Sequence, residues 1–279
     1  MVPPRTSEEV AMRSILLHIQ DDPCLEACRQ VAFDLARAFD GHVTCLQTVP
    51  LDVGYGDFYG IASAQIIPQI QENAAEIRKA QEEHLAKEDA PWDWVLEHQW
   101  ARLALREFAP LNDVVVMGAC AEGGGDSNYS SLATEVTISQ RTPVLLVPQD
   151  ARRFDAGGPV VVAWNGSGEA ANAMRGALPL LKAAKSVTIV WVKEDTSHPQ
   201  LPLSAAAAYL SRHGIAAEIL EEPRLKDGIG ETIAHVAERL GASCIVMGAY
   251  GHSRLREFAL GGVSRTMFKS PQIPLFLAH

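Results

Sequence analysis

The sequence predicts an α/β protein made of two tandem domains. Each would be an open, twisted, parallel sheet of about five strands with helices on both faces. Three observations carry the prediction. Short apolar runs alternate with segments of helical period along the chain. Two stretches recur: Asp113-Val-Val-Val-Met-Gly118 ends as Cys244-Ile-Val-Met-Gly248 does, and Thr142-Pro-Val-Leu-Leu-Val147 matches Ile273-Pro-Leu-Phe-Leu-Ala278. A chain of 279 residues also suits two units of about 130–140 residues each. The polar stretch Gln149–Gly158 is the expected boundary, dividing the chain into 1–150 and 151–279.

In the first copy, Ser14–Ile19 is an apolar strand, and Asp21, Asp22 and Pro23 turn the chain into a helix. That helix, Leu25–Phe39, repeats apolar residues at Val31, Ala32, Leu35, Ala36 and Phe39, and Asp40-Gly41 ends it with the glycine as C-cap. A second strand spans His42–Val49, and Pro50–Ile61 reads as a loop. A long helix rich in Ala, Glu and Gln follows over Ser63–Lys87, then a strand over Trp92–His98 and a short helix over Arg102–Phe108. Asp113–Met117, Ser131–Gln140 and Pro143–Val147 complete the copy as strand, helix and strand. The order repeats: strand Val160–Trp164, helix Glu169–Lys185, strand Val187–Val192, helix Ser204–Arg212, strand Ala216–Leu220, helix Gly228–Leu240 and strand Cys244–Met247. Ser264 opens a short helical run, and Ile273–Leu277 is the last strand. The last strands of the two copies are short and apolar. They would be open sheet edges unless they paired with each other.

A net charge of −10 and a pI near 5.4 argue against a nucleic-acid binder and against docking on an anionic membrane. No run nears the about 18 apolar residues of a membrane helix, and the N-terminus lacks the order of a secretory signal. The expectation is a soluble cytoplasmic protein. Its five cysteines, Cys24, Cys28, Cys45, Cys120 and Cys244, are odd in number and scattered, which predicts reduced thiols. Cys24 and Cys28 share a helix face, but no second pair completes a zinc site, and core packing is the expected role.

The stretch from Ser243 to His279 carries the chemistry. Its glycines, Gly248, Gly251, Gly261 and Gly262, permit close backbone approach, and a loop-to-helix junction presents amides at the positive end of a helix dipole. His252, Arg254 and Arg256 lie between them. Together these features suit an anion such as phosphate, although the same glycines also suit a plain strand-to-helix turn. The basic residues suit a solvated face equally well.

The spacing Gly248-x2-Gly251-x9-Gly261, with Ser264 three residues on, resembles the nucleotide-binding signature of the universal stress protein family. It departs from that signature at Gly262, where the family usually has Ser or Thr. The resemblance spans nearly the whole chain in two copies. It implies a Rossmann-like fold of the adenine nucleotide alpha hydrolase-like type, with an adenine nucleotide, ATP, in the C-terminal copy and Mg²⁺ or Mn²⁺ brought by the triphosphate. Asn165 stands where many relatives have Asp near the ribose and adenine, and Val192 at a position whose backbone commonly meets the adenine. Gly248, Gly251, Gly261, Gly262 and Ser264 match the phosphate loop. His252, Arg254 and Arg256 are added from charge alone.

The two copies differ at this loop. Gly118 leads to Ala121 and Ser131 where the second copy has Gly251 and Gly261, and Glu122 and Asp126 replace basic residues. Carboxylates there repel a polyphosphate, so the first copy is expected to be degenerate. Gly123-Gly-Gly-Asp-Ser127 mimics a pyrophosphatase loop, but it follows the fourth strand rather than the first. The resemblance thus implies a stress-response regulatory protein whose first copy serves as a built-in dimer partner, with further homodimerisation left open. Slow ATP hydrolysis or phosphate transfer at the same site, and a structural or small-ligand role without nucleotide, remain alternatives. No catalytic residue and no metal ligand can be assigned.

Overall fold

A computed structural model describes residues 11–50, 60–120, 131–139, 141–193, 200–249, 267–268 and 271–279, the side chains of 60–66 and 131 apart. The N-terminal half runs β1 (Ser14–Ile19), α1 (Leu25–Phe39), β2 (His42–Thr48), α2 (Gly60–Leu85), β3 (Trp92–Glu97), α3 (Ala101–Phe108), a 3₁₀ turn, β4 (Val114–Gly118), α4 (Ser131–Ser139) and β5 (Val144–Val147). The C-terminal half runs β6 (Val160–Ala163), α5 (Gly168–Gly176), α6 (Leu178–Ala183), β7 (Val187–Lys193), α7 (Leu203–Arg212), β8 (Ala217–Pro223), α8 (Ile229–Arg239), β9 (Cys244–Gly248) and β10 (Leu275–Ala278).

The strands form one ten-stranded sheet in the order β3-β2-β1-β4-β5-β10-β9-β6-β7-β8. Within each half all pairings are parallel. Strands such as Val114–Gly118 are apolar along their length because helices cover both faces, so every side chain needs an apolar neighbour. One core packs Leu17, Phe33, Val116, Val162, Leu180 and Phe276, while the other packs Leu16, Leu105, Met117, Val161, Ile245 and Leu277. Each core runs through both halves.

The halves join at β5 and β10. These strands pair antiparallel, Leu275 against Leu146 and Leu277 against Val144, which meets the expectation of edge-to-edge pairing. The pairing has a directional consequence. Strands parallel within each half must point oppositely between halves, so the C-terminal strand ends of the two halves open on opposite sides of the sheet. The segment Gln149–Gly158 is not a bare tether: Phe154 is buried, and its N–H donates to Asp34 Oδ2 on α1 at 2.7 Å.

Three local readings need correction. The predicted helix Glu169–Lys185 is two helices meeting at Ala177, with Pro179 in the first turn of α6. Proline has no N–H for the carbonyl four residues back, and its ring crowds that carbonyl, so one continuous helix is disfavoured. Asp40, not Gly41, takes the left-handed cap conformation, at φ 49°. Gly41 serves a different end: a Cβ there would lie 3.1 Å from the carbonyls of Met12 and Arg13. β8 extends to Pro223, beyond the apolar residues, because it is an edge strand whose Glu221 pairs with Lys193 of β7 at 2.6 Å. Edge strands carry charge where central ones do not.

Phe276, 1% exposed at the junction, is the side chain whose truncation should cost most there. Phe276→Ala is expected to lower stability by about 3–5 kcal/mol, read from urea unfolding. An unchanged midpoint would mean that the junction does not carry the fold.

Candidate functional site

In a parallel sheet of this kind, ligands bind where strands end and the chain leaves for the next helix. Adjacent strands β9, β6 and β7 make such an edge in the C-terminal half. β6 ends at Ala163, and the chain turns after Trp164. Asn165 Oδ1 accepts the Ser167 N–H at 3.0 Å, Gly166 takes φ 75°, and Ser167 Oγ caps α5 by accepting the Ala170 N–H at 3.2 Å. This local turn and cap leave Asn165 exposed at the edge. Val192, 6% exposed, lies beyond the last β6–β7 pair, Ala163 with Val190. Gly248 closes β9.

The fold therefore brings Asn165, Val192 and Gly248 to neighbouring strand ends. Gly251, His252, Arg254, Arg256, Gly261, Gly262 and Ser264 lie outside the described residues. The described part offers an apolar strand end beside an exposed amide. That suits a flat ring with a polar substituent.

Gly248 has a structural reason of its own. A Cβ there would meet Ala170 N at 2.4 Å and Glu169 C at 2.6 Å. The first turn of α5 packs directly on the end of β9, and only hydrogen fits between them. Gly118 repeats this constraint, with its Cβ position 2.4 Å from Cys24 Cβ at the start of α1. This explains why the N-terminal copy keeps Gly118 while having Ala121 and Ser131 at the later glycine positions.

Strand registers align the halves residue by residue. Leu17 faces Val116 and Cys45, as Val162 faces Val246 and Ile189. His18 then stands at the position of Ala163, Gln20 at Asn165, Thr48 at Val192 and Cys24 at Glu169. At two of these positions, Ala163 and Val192, a small or apolar residue of the C-terminal edge is matched by a polar one, His18 and Thr48, in the N-terminal half.

Cys24 and Cys120 are joined by a disulfide, with Cα atoms 6.1 Å apart. This corrects the expectation of five reduced thiols. Spacing in sequence hides the pair, since 96 residues separate them. Only the register reveals that both sit beside Gly118. The bond closes the N-terminal corner equivalent to the one from which the C-terminal glycine stretch departs. Cys28, Cys45 and Cys244 are free and buried. Burial pushes the Cys45 and Cys244 thiols up to about 12 and the Cys28 thiol well above its usual range, so all three stay protonated. Core packing, expected for Cys28, is what it does.

The sequence reading also missed a cavity of about 510 Å³ at the ends of β1 and β2. His18 lies in it, with Nε2 3.3 Å from Thr48 Oγ1. Burial lowers the His18 pKa to about 4, so the ring is neutral at pH 7. His18 interrupts the apolar run Ile15–Ile19, but Gln47 lies in a strand that also holds His42, Thr44 and Thr48, where nothing in the sequence marks it out.

Residues 158–279 match the model of the universal stress protein family. A universal stress protein from Archaeoglobus fulgidus DSM 4304 superposes with a TM-score of 0.73 at 16% identity, over 95% of this chain and 97% of that one. A functionally unknown protein from Pseudomonas aeruginosa PAO1 superposes with a TM-score of 0.58 at 16% identity, over 96% and 92%. Both likenesses are of fold, and they extend over both halves. No curated protein matches the chain.

Two outcomes follow from this geometry. Between pH 6.5 and about 4 the unfolded chain takes up a proton that folded His18 refuses, so stability falls as pH falls through this window. The loss should be about 2–3 kcal/mol, and His18→Gln should remove most of it in denaturant titrations at pH 7 and pH 4.5. For the disulfide, three thiols should react in denaturant without reductant and five with it. Reduction or Cys120→Ser should cost about 2–4 kcal/mol of stability. Five reactive thiols without reductant would contradict the bond.

Proposed function

We propose, from the match of residues 158–279 to the universal stress protein family, that the chain is a stress-response regulatory protein binding ATP through this half. The observation that carries the reading is the common edge of β9, β6 and β7, where Gly248, Asn165 and Val192 sit on neighbouring strand ends. Val192 would lie against the base. Asn165, with Oδ1 already engaged by Ser167, would offer its NH₂ to the sugar. The glycine stretch Gly251 to Ser264 leaves β9 at this same edge in the sequence and would supply amides to the phosphates. His252 and Arg254 would add positive charge there. Mg²⁺ or Mn²⁺ would arrive with the triphosphate rather than on a protein site.

In this reading 1–150 is a degenerate copy and 151–279 the binding copy. The first acts as a pseudo-dimer partner through the β5–β10 pairing. No helix among the described residues is long and apolar enough to cross a membrane, and the proposed setting is the cytoplasm. Reducing thiols there would act on the Cys24–Cys120 bond, which makes its thiol count informative.

The experiment is titration calorimetry with ATP on wild type and on Gly261→Val. One site per chain is expected in the wild type and none in the variant, with equal melting temperatures. Chromatography of the nucleotide afterwards separates binding from turnover: intact ATP fits a regulatory binder, and ADP would move the reading to a slow hydrolase. Two equivalent sites, or undiminished affinity in folded Gly261→Val, would overturn the assignment.

A further inference from the structure

Two cysteines and one acid meet at the start of α1, and together they make a metal-binding set. The Asp22 carboxylate, Cys24 Sγ and Cys120 Sγ lie within 4.8 Å of one another. The sequence offers Cys24 and Cys28 on one helix face with no second pair to complete a zinc site. The fold supplies other ligands. Cys120 arrives just beyond the end of β4, 96 residues on from Cys24, and Asp22 comes from the turn before the helix.

The backbone holds all three. Asp22 Oδ1 accepts the Cys24 N–H at 2.7 Å, and the Asp22 carbonyl accepts the Leu25 N–H at 3.2 Å. The Ala119 N–H donates to Val147 O at 2.8 Å, so β4 stays bonded to β5 up to the residue before Cys120. Gly118 lets the two elements touch, since its Cβ position lies 2.4 Å from Cys24 Cβ. Cys24 is buried, whereas Asp22 and Cys120 are half-buried, so solvent reaches two of the three residues.

The donor atoms select the ion. A four-coordinate zinc with bonds of about 2.3 Å to sulfur and 2.0–2.2 Å to oxygen sets its ligands about 3.5–3.8 Å apart. Sulfurs freed from the disulfide, with a carboxylate within 4.8 Å, reach that spacing by side-chain rotation. Two thiolates favour zinc over magnesium or calcium, which take oxygen ligands. The positive end of α1, a helix of 15 residues, favours a thiolate at its N-cap, Cys24. Cys28, one turn further along α1, stands outside the set. Strand registers put Ser167 and Glu169 of the C-terminal half at the positions of Asp22 and Cys24, so no thiol stands there in that half.

We propose that the reduced chain binds one Zn²⁺ through Cys24, Cys120 and Asp22, with the fourth position left to water, and that disulfide formation releases it. A dithiol reductant passes two electrons and two protons to the Cys24–Cys120 bond and itself closes to a disulfide. The two thiols then lose their protons to solvent as the cation binds. Oxidation by a small disulfide runs the other way. The Cys24–Cys120 bond forms, the oxidant takes two electrons and two solvent protons to become thiol, and the cation leaves. This site is separate from the ATP proposed for the C-terminal half and from the cation that accompanies it. Failure of either proposal leaves the other standing.

The test uses the full chain without nucleotide, reduced with a phosphine, and Co²⁺ as the probe. One Co²⁺ per chain is expected, with a thiolate-to-cobalt charge-transfer band that an equal amount of Zn²⁺ abolishes. The chain with its disulfide intact should give no band. Cys120→Ser and Asp22→Asn should each weaken binding by about tenfold or more, and Asp22→Asn keeps the acceptor for the Cys24 N–H. Cys28→Ala should keep the band. If Cys120→Ser does not fold, Asp22→Asn, at a half-buried position, decides alone. No band in the reduced chain, the same band with the disulfide intact, or undiminished affinity in a folded ligand variant would overturn the proposal. So would loss of the band in folded Cys28→Ala.

Discussion

The antiparallel pairing of β5 with β10 is the interaction on which the rest depends. Each strand is four residues long and fully buried, and each would expose an unsatisfied edge if the halves separated. The pairing turns two five-stranded sheets into one and lets both cores run across the junction. Gly176 of α5 completes the fit, since a Cβ there would meet Pro143 Cγ at 3.0 Å and Phe276 Cε1 at 3.6 Å. Because the pairing reverses direction, it also sends the functional edges of the two halves to opposite sides.

Much of this was legible from periodicity. β1 and α1 have the predicted ends, and the central strands lie where apolar runs occur, because strands buried on both faces leave no other pattern. What failed was set by geometry that sequence spacing does not encode. Pro179 divides a helix whose apolar period continues past it. β8 runs on through acidic residues because it has a neighbour on one side only. Cys24 and Cys120 are remote in the chain, and only the strand order β1-β4 brings them together. The site was legible to the extent of Asn165, Val192 and Gly248, each just at or after a strand end. The N-terminal cavity was not, since Gln47 stands among other polar residues of β2 and only the fold brings it to Ala74 O of α2.

The glycines show how one residue type can serve two needs. Gly248 and Gly118 are required by packing, because a helix start lies within about 2.5 Å of where a Cβ would be. Their retention in both halves is therefore no evidence of ligand. The later glycines occur only in the C-terminal half, so the distinction between halves rests on Gly251 and Gly261 against Ala121 and Ser131. Charge agrees with sterics, since His252, Arg254 and Arg256 stand against Glu122 and Asp126. Closure of the N-terminal corner by Cys24–Cys120 points the same way.

A crystal structure of the chain grown with ATP tests this asymmetry most directly. The account predicts nucleotide density across Val192, Asn165 and the end of β9, with the phosphates toward Gly251 and Gly261, and none beside Cys24 and Cys120. Nucleotide at the N-terminal edge, or an empty C-terminal edge at saturating ATP, would contradict it.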